Sequence, residues 1–246
     1  AMFDGADDLS DDNKCYIHTT FSSNDNWEYN WSYYCPGEEC DLVPYGNCSG
    51  ENLSGQDLSG MNLTGIDLSY ADLTDTDLTD ANLTGASLSY TDLTGANLEI
   101  ADLSGADLRY VYATNLVKCP ANLPTEWMCV GNDEEASLVG PTANLTNAYL
   151  GEIDFLGANL TNTNFENAYL SYADLSYVNL ANANLRHVSL EYTDLDEANL
   201  TNADLTNANL QEADFTNAIV TDADFTDTLW IDTTWIDGQS YNENQA

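Results

Sequence analysis

Residues 52–74 read NLSGQDLSGMNLTGIDLSYADLT, and leucine returns at every fifth position: Leu53, Leu58, Leu63, Leu68 and Leu73. The run continues unbroken to Leu108, and Val43 and Cys48 extend the same register backwards. It resumes at Leu145 and runs to Trp235, with Phe155, Phe165, Phe215, Val220, Phe225 and Trp230 replacing leucine on the way. Around each centre stand a small residue two before, Asp or Asn one before, often Ser or Thr one after, and Gly, Asn, Asp or Tyr two after. A period of five is neither helical nor that of a plain strand. In extended chain the centre and the small residue two before it point the same way, so each unit is a very short strand followed by a bend. One such unit cannot bury its apolar face alone, and stacking successive coils is the natural solution.

The number of units per coil is also legible. Tyr70, Tyr90 and Tyr110 recur at intervals of twenty residues, as do Tyr149 with Tyr169, Tyr172 with Tyr192, and the column Asp154, Asp174, Asp194, Asp214. Twenty residues is four units, hence a four-sided coil with these residues stacked about 4.8 Å apart, and the two blocks predict a rod on the order of 35–40 Å long.

Repeats such as ADLSG, ANLTN and ADLTN resemble those of the pentapeptide-repeat family, usually written A(D/N)LXX. The resemblance covers roughly Val43 to Asp237 apart from one interruption. It implies an all-β, right-handed quadrilateral β-helix with the central Leu or Phe inside and the small residue packed at the corner. It is nearly silent on function. Its best-known branch protects DNA gyrase with an acidic rod resembling duplex DNA.

Five segments follow: a non-repeat, Cys-rich aromatic N-terminal cap (1–41), a first β-helix block (42–115), an inserted loop (116–140), a second block with a C-terminal cap (141–237) and a tail (238–246). In the first, Trp27, Tyr29, Trp31 and Tyr33 alternate with Glu28, Asn30 and Ser32, the signature of a strand with one aromatic face. An aromatic flap over the open solenoid end is the simplest reading, and a carbohydrate-binding face is its rival. In the third, Cys119, Pro120, Pro124 and Cys129 break the register; a Cys119–Cys129 disulfide closes a loop expected to project sideways. Leu229, Trp230, Ile231, Trp235 and Ile236 are too apolar for a free surface, so they form a C-terminal cap or a two-fold homodimer contact.

Acidic residues number 42 against four basic ones, Lys14, Arg109, Lys118 and Arg186, for a formal net charge of −38. That makes nucleic acid and anionic membrane surfaces poor partners, with no direct nucleic-acid binding expected, and leaves cations, basic proteins or brine as surroundings. High charge with modest hydropathy would signal disorder, except that the apolar residues recur at fixed spacing. No apolar run approaches the ~20 residues of a membrane span, so no span is expected. Cys15, Cys35, Cys40 and Cys48 are an even local group, read as paired among themselves, and with Cys119 and Cys129 they favour an oxidising compartment. The expected location is therefore extracellular, periplasmic or cell-surface, with any signal peptide already removed.

Catalytic chemistry is not indicated. His18 and His187 are the only histidines, and no nucleophile stands beside a base. Cys15, His18, Cys35 and Cys40 could hold zinc, but the spacing is loose and Cys48 is left over. The column Asp154, Asp174, Asp194, Asp214 is the main candidate site. Neighbouring carboxylates ~5 Å apart repel by roughly 0.8 kcal/mol even in bulk water, so something offsets the cost: salt, a cationic partner or weakly bound cations such as Ca²⁺. A single turn lacks the oxygens of a dedicated calcium site, which favours diffuse association and no tightly bound cofactor. Arg186 is expected beside Glu166, one coil away. Sequons at Asn52, Asn62, Asn82, Asn144 and Asn199 are by-products of the repeat. The sequence thus predicts a non-enzymatic, acidic structural or binding rod in a saline setting, with a DNA-mimic binder of a topoisomerase such as gyrase, or an ice- or mineral-binding surface, as alternatives.

Overall fold

The computed structural model describes residues 16–18, 32–34, 40–132 and 135–243. Isolated parallel bridges run from each coil to the next at a separation of twenty residues, for example Asn52↔Asp72↔Asp92 and Asp154↔Asp174↔Asp194↔Asp214. Each coil therefore has four sides of five residues, and the protein is a β-helix.

One side shows why the repeat takes this shape. The Leu175 N–H donates to the carbonyl of Asp194 in the coil above (2.7 Å), and the Asp194 N–H donates back to Ala173 (3.1 Å). At the corner the Val178 N–H closes a four-residue turn on the Leu175 carbonyl (3.2 Å), and the third turn residue, Tyr177, has φ of 59°. This left-handed conformation recurs at almost every corner, and it is why Gly, Asn and Asp dominate two residues after each centre. The corner N–H also bonds along the stack, as from Tyr177 to the Asp196 carbonyl (2.9 Å), so the backbone is satisfied around the whole perimeter.

Inside, centres such as Leu63, Leu175 and Leu195 are fully buried, and the alanines two before them line the same core. Where threonine takes that place its hydroxyl needs a partner: Thr193 donates to the Leu170 carbonyl (2.9 Å) and Thr76 to that of Leu53 (3.0 Å). Among the described residues no buried side-chain polar atom lacks a partner.

The interruption is partly integrated into the stack, unlike the sideways loop expected for 116–140. Lys118 stacks on Asn97 and Asn122 on Asp102, so this stretch continues two sides of the first block. The excess chain then forms an antiparallel hairpin, β3 (Met128–Val130) with β4 (Ser137–Val139), and Asn144 lands directly on Tyr112. Backbone groups on the open coil need partners, which draws the excursion back onto it. Trp127 packs against the cores of both blocks, and the Cys119–Cys129 disulfide ties the start of the excursion to β3.

At the far end, Trp230 and Trp235 are buried with Phe215 and Phe225, and Phe225 meets Trp235 edge-on at 5.2 Å. Strand β5 (Thr233–Thr234) pairs with β6 (Ser240–Tyr241), so residues assigned to the tail take part in closing this end. Only Leu229, Ile231 and Ile236 of the five apolar residues face outward. Near the start of the chain, β1 (Tyr16–His18) pairs antiparallel with β2 (Ser32–Tyr34), which includes Tyr33. Trp27, Tyr29, Trp31, Cys15 and Cys35 lie outside the described residues, and with them most of the expected flap, its disulfides and the zinc alternative. No helix among the described residues is long and apolar enough to cross a membrane.

Candidate functional site: an acidic, tyrosine-edged side of the coil

The Asp or Asn before each centre accepts from its own turn. Asp174 Oδ1 accepts the N–H of Ser176 (2.9 Å) and also its hydroxyl; Asp214 Oδ1 accepts the N–H of Thr216 (2.9 Å) and its hydroxyl. Asp154 and Asp194 accept the N–H of Leu156 and Asp196, each at 2.9 Å. Asparagine does the same through its amide oxygen, as Asn199 does for Thr201. The offset to carboxylate repulsion is therefore built into the fold, because each charge is tied to a turn donor it needs. Sequence reasoning missed this role, though the free exchange of Asp with Asn before Ser or Thr was its signal.

The same bonds shift ionisation. Asp57, Asp72 and Asp102 are held below the usual carboxylate range, first by the hydroxyls of Ser59, Thr74 and Ser104 and then by the backbone N–H groups of the same residues. At Asp204 burial pushes upward but is outweighed by the Thr206 hydroxyl and N–H and by Arg186, leaving it low. Arg186 pairs with Asp204 at 3.2 Å instead of the expected Glu166, reaching the outward carboxylate of the next coil's strand. Arg109 makes a two-pronged contact with Asp107, Nε to Oδ1 at 2.8 Å and Nη2 to Oδ2 at 2.6 Å.

Tyrosines line the corners. Tyr70, Tyr90 and Tyr110 stack with ring centres 4.8 and 4.6 Å apart, and Tyr172 stacks on Tyr192 at 4.8 Å with planes 3° apart. Tyr149 and Tyr169, bridged on a side of the coil and not at a corner, are tilted and 6.4 Å apart. The column Asp154, Asp174, Asp194, Asp214 runs up one side of the second block between two such corners. One carries Glu152, Tyr172, Tyr192 and Glu212, and the other Gly157, Tyr177 and Glu197.

Cys48 departs from the expected pairing of all four N-terminal cysteines. It carries a free thiol at a repeat centre, buried in the first coil beside Cys40, and burial pushes its ionisation well above the ordinary range. Its inward position at the base of the stack makes it a core residue. His187 stands exposed at a corner with φ of 56°. Among the described residues no three His, Cys, Asp or Glu side chains are grouped so as to hold a metal ion.

Four-sided coils of five-residue units, closed by left-handed corners and filled by one leucine per side, define a solenoid class. The chain belongs to the pentapeptide-repeat family: its "Pentapeptide repeats" profile matches eight copies over residues 47–85, 77–111, 143–176, 164–202 and 193–229, more than half of the chain. The gap between 111 and 143 is the excursion with β3 and β4. Among solved structures it is similar to HetL, a pentapeptide repeat protein involved in heterocyst differentiation regulation from the cyanobacterium Nostoc sp. strain PCC 7120. Identity is 29%, covering 79% of this chain and 78% of HetL, with a TM-score of 0.41. It is also similar to a thylakoid-lumen pentapeptide repeat protein of Arabidopsis thaliana (23% identity, 66% of each chain, TM-score 0.20). A third is QnrB1, a plasmid-mediated fluoroquinolone resistance protein (14% identity, 80% of this chain and 92% of that one, TM-score 0.26). No curated protein matches the chain.

Proposed function

We propose that the protein is a non-enzymatic acidic binding rod, a right-handed solenoid exported to saline surroundings, whose surface engages a protein partner and diffusely associated cations. The carrying observation is the surface itself: a formal charge of −38 on a regular scaffold, with Arg109 and Arg186 each already bonded to an aspartate. Rigid, repeated presentation of one sign of charge favours recognition of the opposite sign over a long contact. The Cys119–Cys129 disulfide supports an oxidising compartment. The column Asp154, Asp174, Asp194, Asp214 is suited to loosely held cations such as Ca²⁺, since each carboxylate keeps one oxygen engaged with its turn. Leu229, Ile231 and Ile236 leave room for an end-to-end homodimer contact, with Trp230 and Trp235 working inside each copy.

Fractionation of the native cell, together with a gyrase supercoiling assay on the purified protein, tests the reading. The expected result is an exported protein with no effect on supercoiling. A cytosolic protein that inhibits supercoiling would replace this reading with the DNA-mimic one, which the same charge favours.

A further inference from the structure

We infer that the side of the coil carrying Asp154, Asp174, Asp194 and Asp214, with Tyr172, Tyr192 and Tyr177 at its corners, is a docking face for an arginine-rich segment of a partner protein. The inference rests on the acidic-rod reading above and names where, and with what chemistry, the partner binds.

The corner tyrosines are costly to their own fold. Tyr172, Tyr177 and Tyr192 have φ of 65°, 59° and 58°, a region a bulky side chain enters at a cost of roughly 1–3 kcal/mol, which Gly or Asn largely avoids. Stacking of Tyr172 on Tyr192 returns about 0.5–1.5 kcal/mol, but Tyr177 has no stacked tyrosine in its column. Tyr172, Tyr177 and Tyr192 are 54%, 55% and 39% exposed, so their rings add little to the core. Below Tyr177 in its column is Gly157, and the space over that glycine is open to 4 Å. The Tyr177 hydroxyl leans the other way, toward Glu197 Oε1 (3.4 Å). A planar cation can therefore reach a tyrosine ring with carboxylates on either hand.

Charge selects the occupant. Glu152, Asp154, Asp174, Asp194, Asp196, Glu197, Glu212 and Asp214 share this side and its corners, while Arg109, Lys118 and Arg186 belong to other sides. Arg186 stands two sides away, across the coil, bonded to Asp204.

The first block shows the carboxylate half of the proposed contact. There the guanidinium of Arg109 grips Asp107 with two hydrogen bonds. A guanidinium gripped by a coil carboxylate, next in the chain to the corner residue Tyr110, is thus an arrangement this scaffold already uses. The side edged by Tyr172, Tyr192 and Tyr177 offers the same pieces without an arginine of its own. Arginine suits it better than lysine, because its flat fork matches a carboxylate and stacks on a ring.

The test titrates fluorescent octa-arginine and octa-lysine into the full chain at about 0.15 M ionic strength, where the Debye length is about 8 Å. Three proteins are compared: the native chain, the triple variant Tyr172→Asn, Tyr177→Asn, Tyr192→Asn, and the control Tyr70→Asn, Tyr90→Asn, Tyr110→Asn on another corner. Asparagine keeps every charge and already occupies corners such as Asn182 and Asn202, so the fold is retained and checked by melting. We expect octa-arginine to bind the native chain more tightly than octa-lysine. The first variant should weaken octa-arginine by about tenfold and erase the preference, while the control changes it by less than about twofold. Equal binding by the native chain and the first variant would overturn the docking face and leave the acidic rod standing. Failure of both peptides to bind the native chain would sink the protein-partner reading as well.

Discussion

Replacing Asp174 separates two effects that act on it in opposite directions. Its Oδ1 accepts the Ser176 N–H at 2.9 Å and the Ser176 hydroxyl, and Asp154 and Asp194 stack directly below and above. A hydrogen bond to an ionised acceptor contributes about 1.5–3 kcal/mol net, and this half-exposed turn belongs at the lower end. Each stacked neighbour ~4.8 Å away repels by about 0.9 kcal/mol in bulk water, so two neighbours cost about 1.7 kcal/mol before screening. Asp174→Ala should therefore be nearly neutral near 0.01 M salt, where the Debye length is ~30 Å. Near 1 M, where that length is ~3 Å, the repulsion is gone and the same variant should lose about 1.5 kcal/mol. Asp174→Asn keeps a neutral turn bond of about 1 kcal/mol, so it should gain about 1 kcal/mol in low salt and lose about 0.5 in high salt. In a chain of this length 1 kcal/mol moves the melting temperature by about 2–4 °C, enough to resolve by circular dichroism. Coincident Ala and Asn variants would refute the role of the turn bond. Variants whose difference from the native protein ignores salt would refute the column repulsion.

Three further outcomes are expected. Leu195→Ala, at a fully buried centre with coils on both sides, should cost about 3 kcal/mol in urea melts, and Leu53→Ala, 7% exposed in an early coil, distinctly less; equal costs would contradict the stacked core. Because Asp57, Asp72 and Asp102 are depressed below 3.8 in the fold, their contribution is complete above the unfolded value near pH 4 and is lost as pH falls through the folded values. Melts between about pH 5 and 2 should show that fall, and Thr74→Val, lacking the hydroxyl on Asp72, should make it shallower. Reduction of Cys119–Cys129, ten residues apart, should cost up to about 3 kcal/mol in the loop-entropy account, read from urea melts with and without reductant, while Cys48 resists alkylation until the protein unfolds, read from intact mass after labelling native and denatured protein.

The period of five in residues 52–74 determined the fold by itself, because a centre such as Leu63 and a corner such as Gly65 each do one job and every coil repeats the assignment. The twenty-residue spacing of Tyr70, Tyr90 and Tyr110 likewise determined the four-sided coil and the stacking of those rings. Local signals suffice where each residue's partner lies at a fixed offset. They fail where partners are chosen by reach or by competing donors. Only the tertiary structure showed that Asp174 is held by its own turn, that Arg186 reaches Asp204, and that Trp230 and Trp235 fold inward as a plug. It alone returned residues 116–123 to the stack, since open backbone groups on the last coil of the first block bond whatever chain passes next. The tyrosine-edged acidic side is likewise a tertiary fact: Asp154 and Asp214 stand sixty residues apart in the chain, and only coiling puts Tyr172, Tyr177 and Tyr192 on its borders.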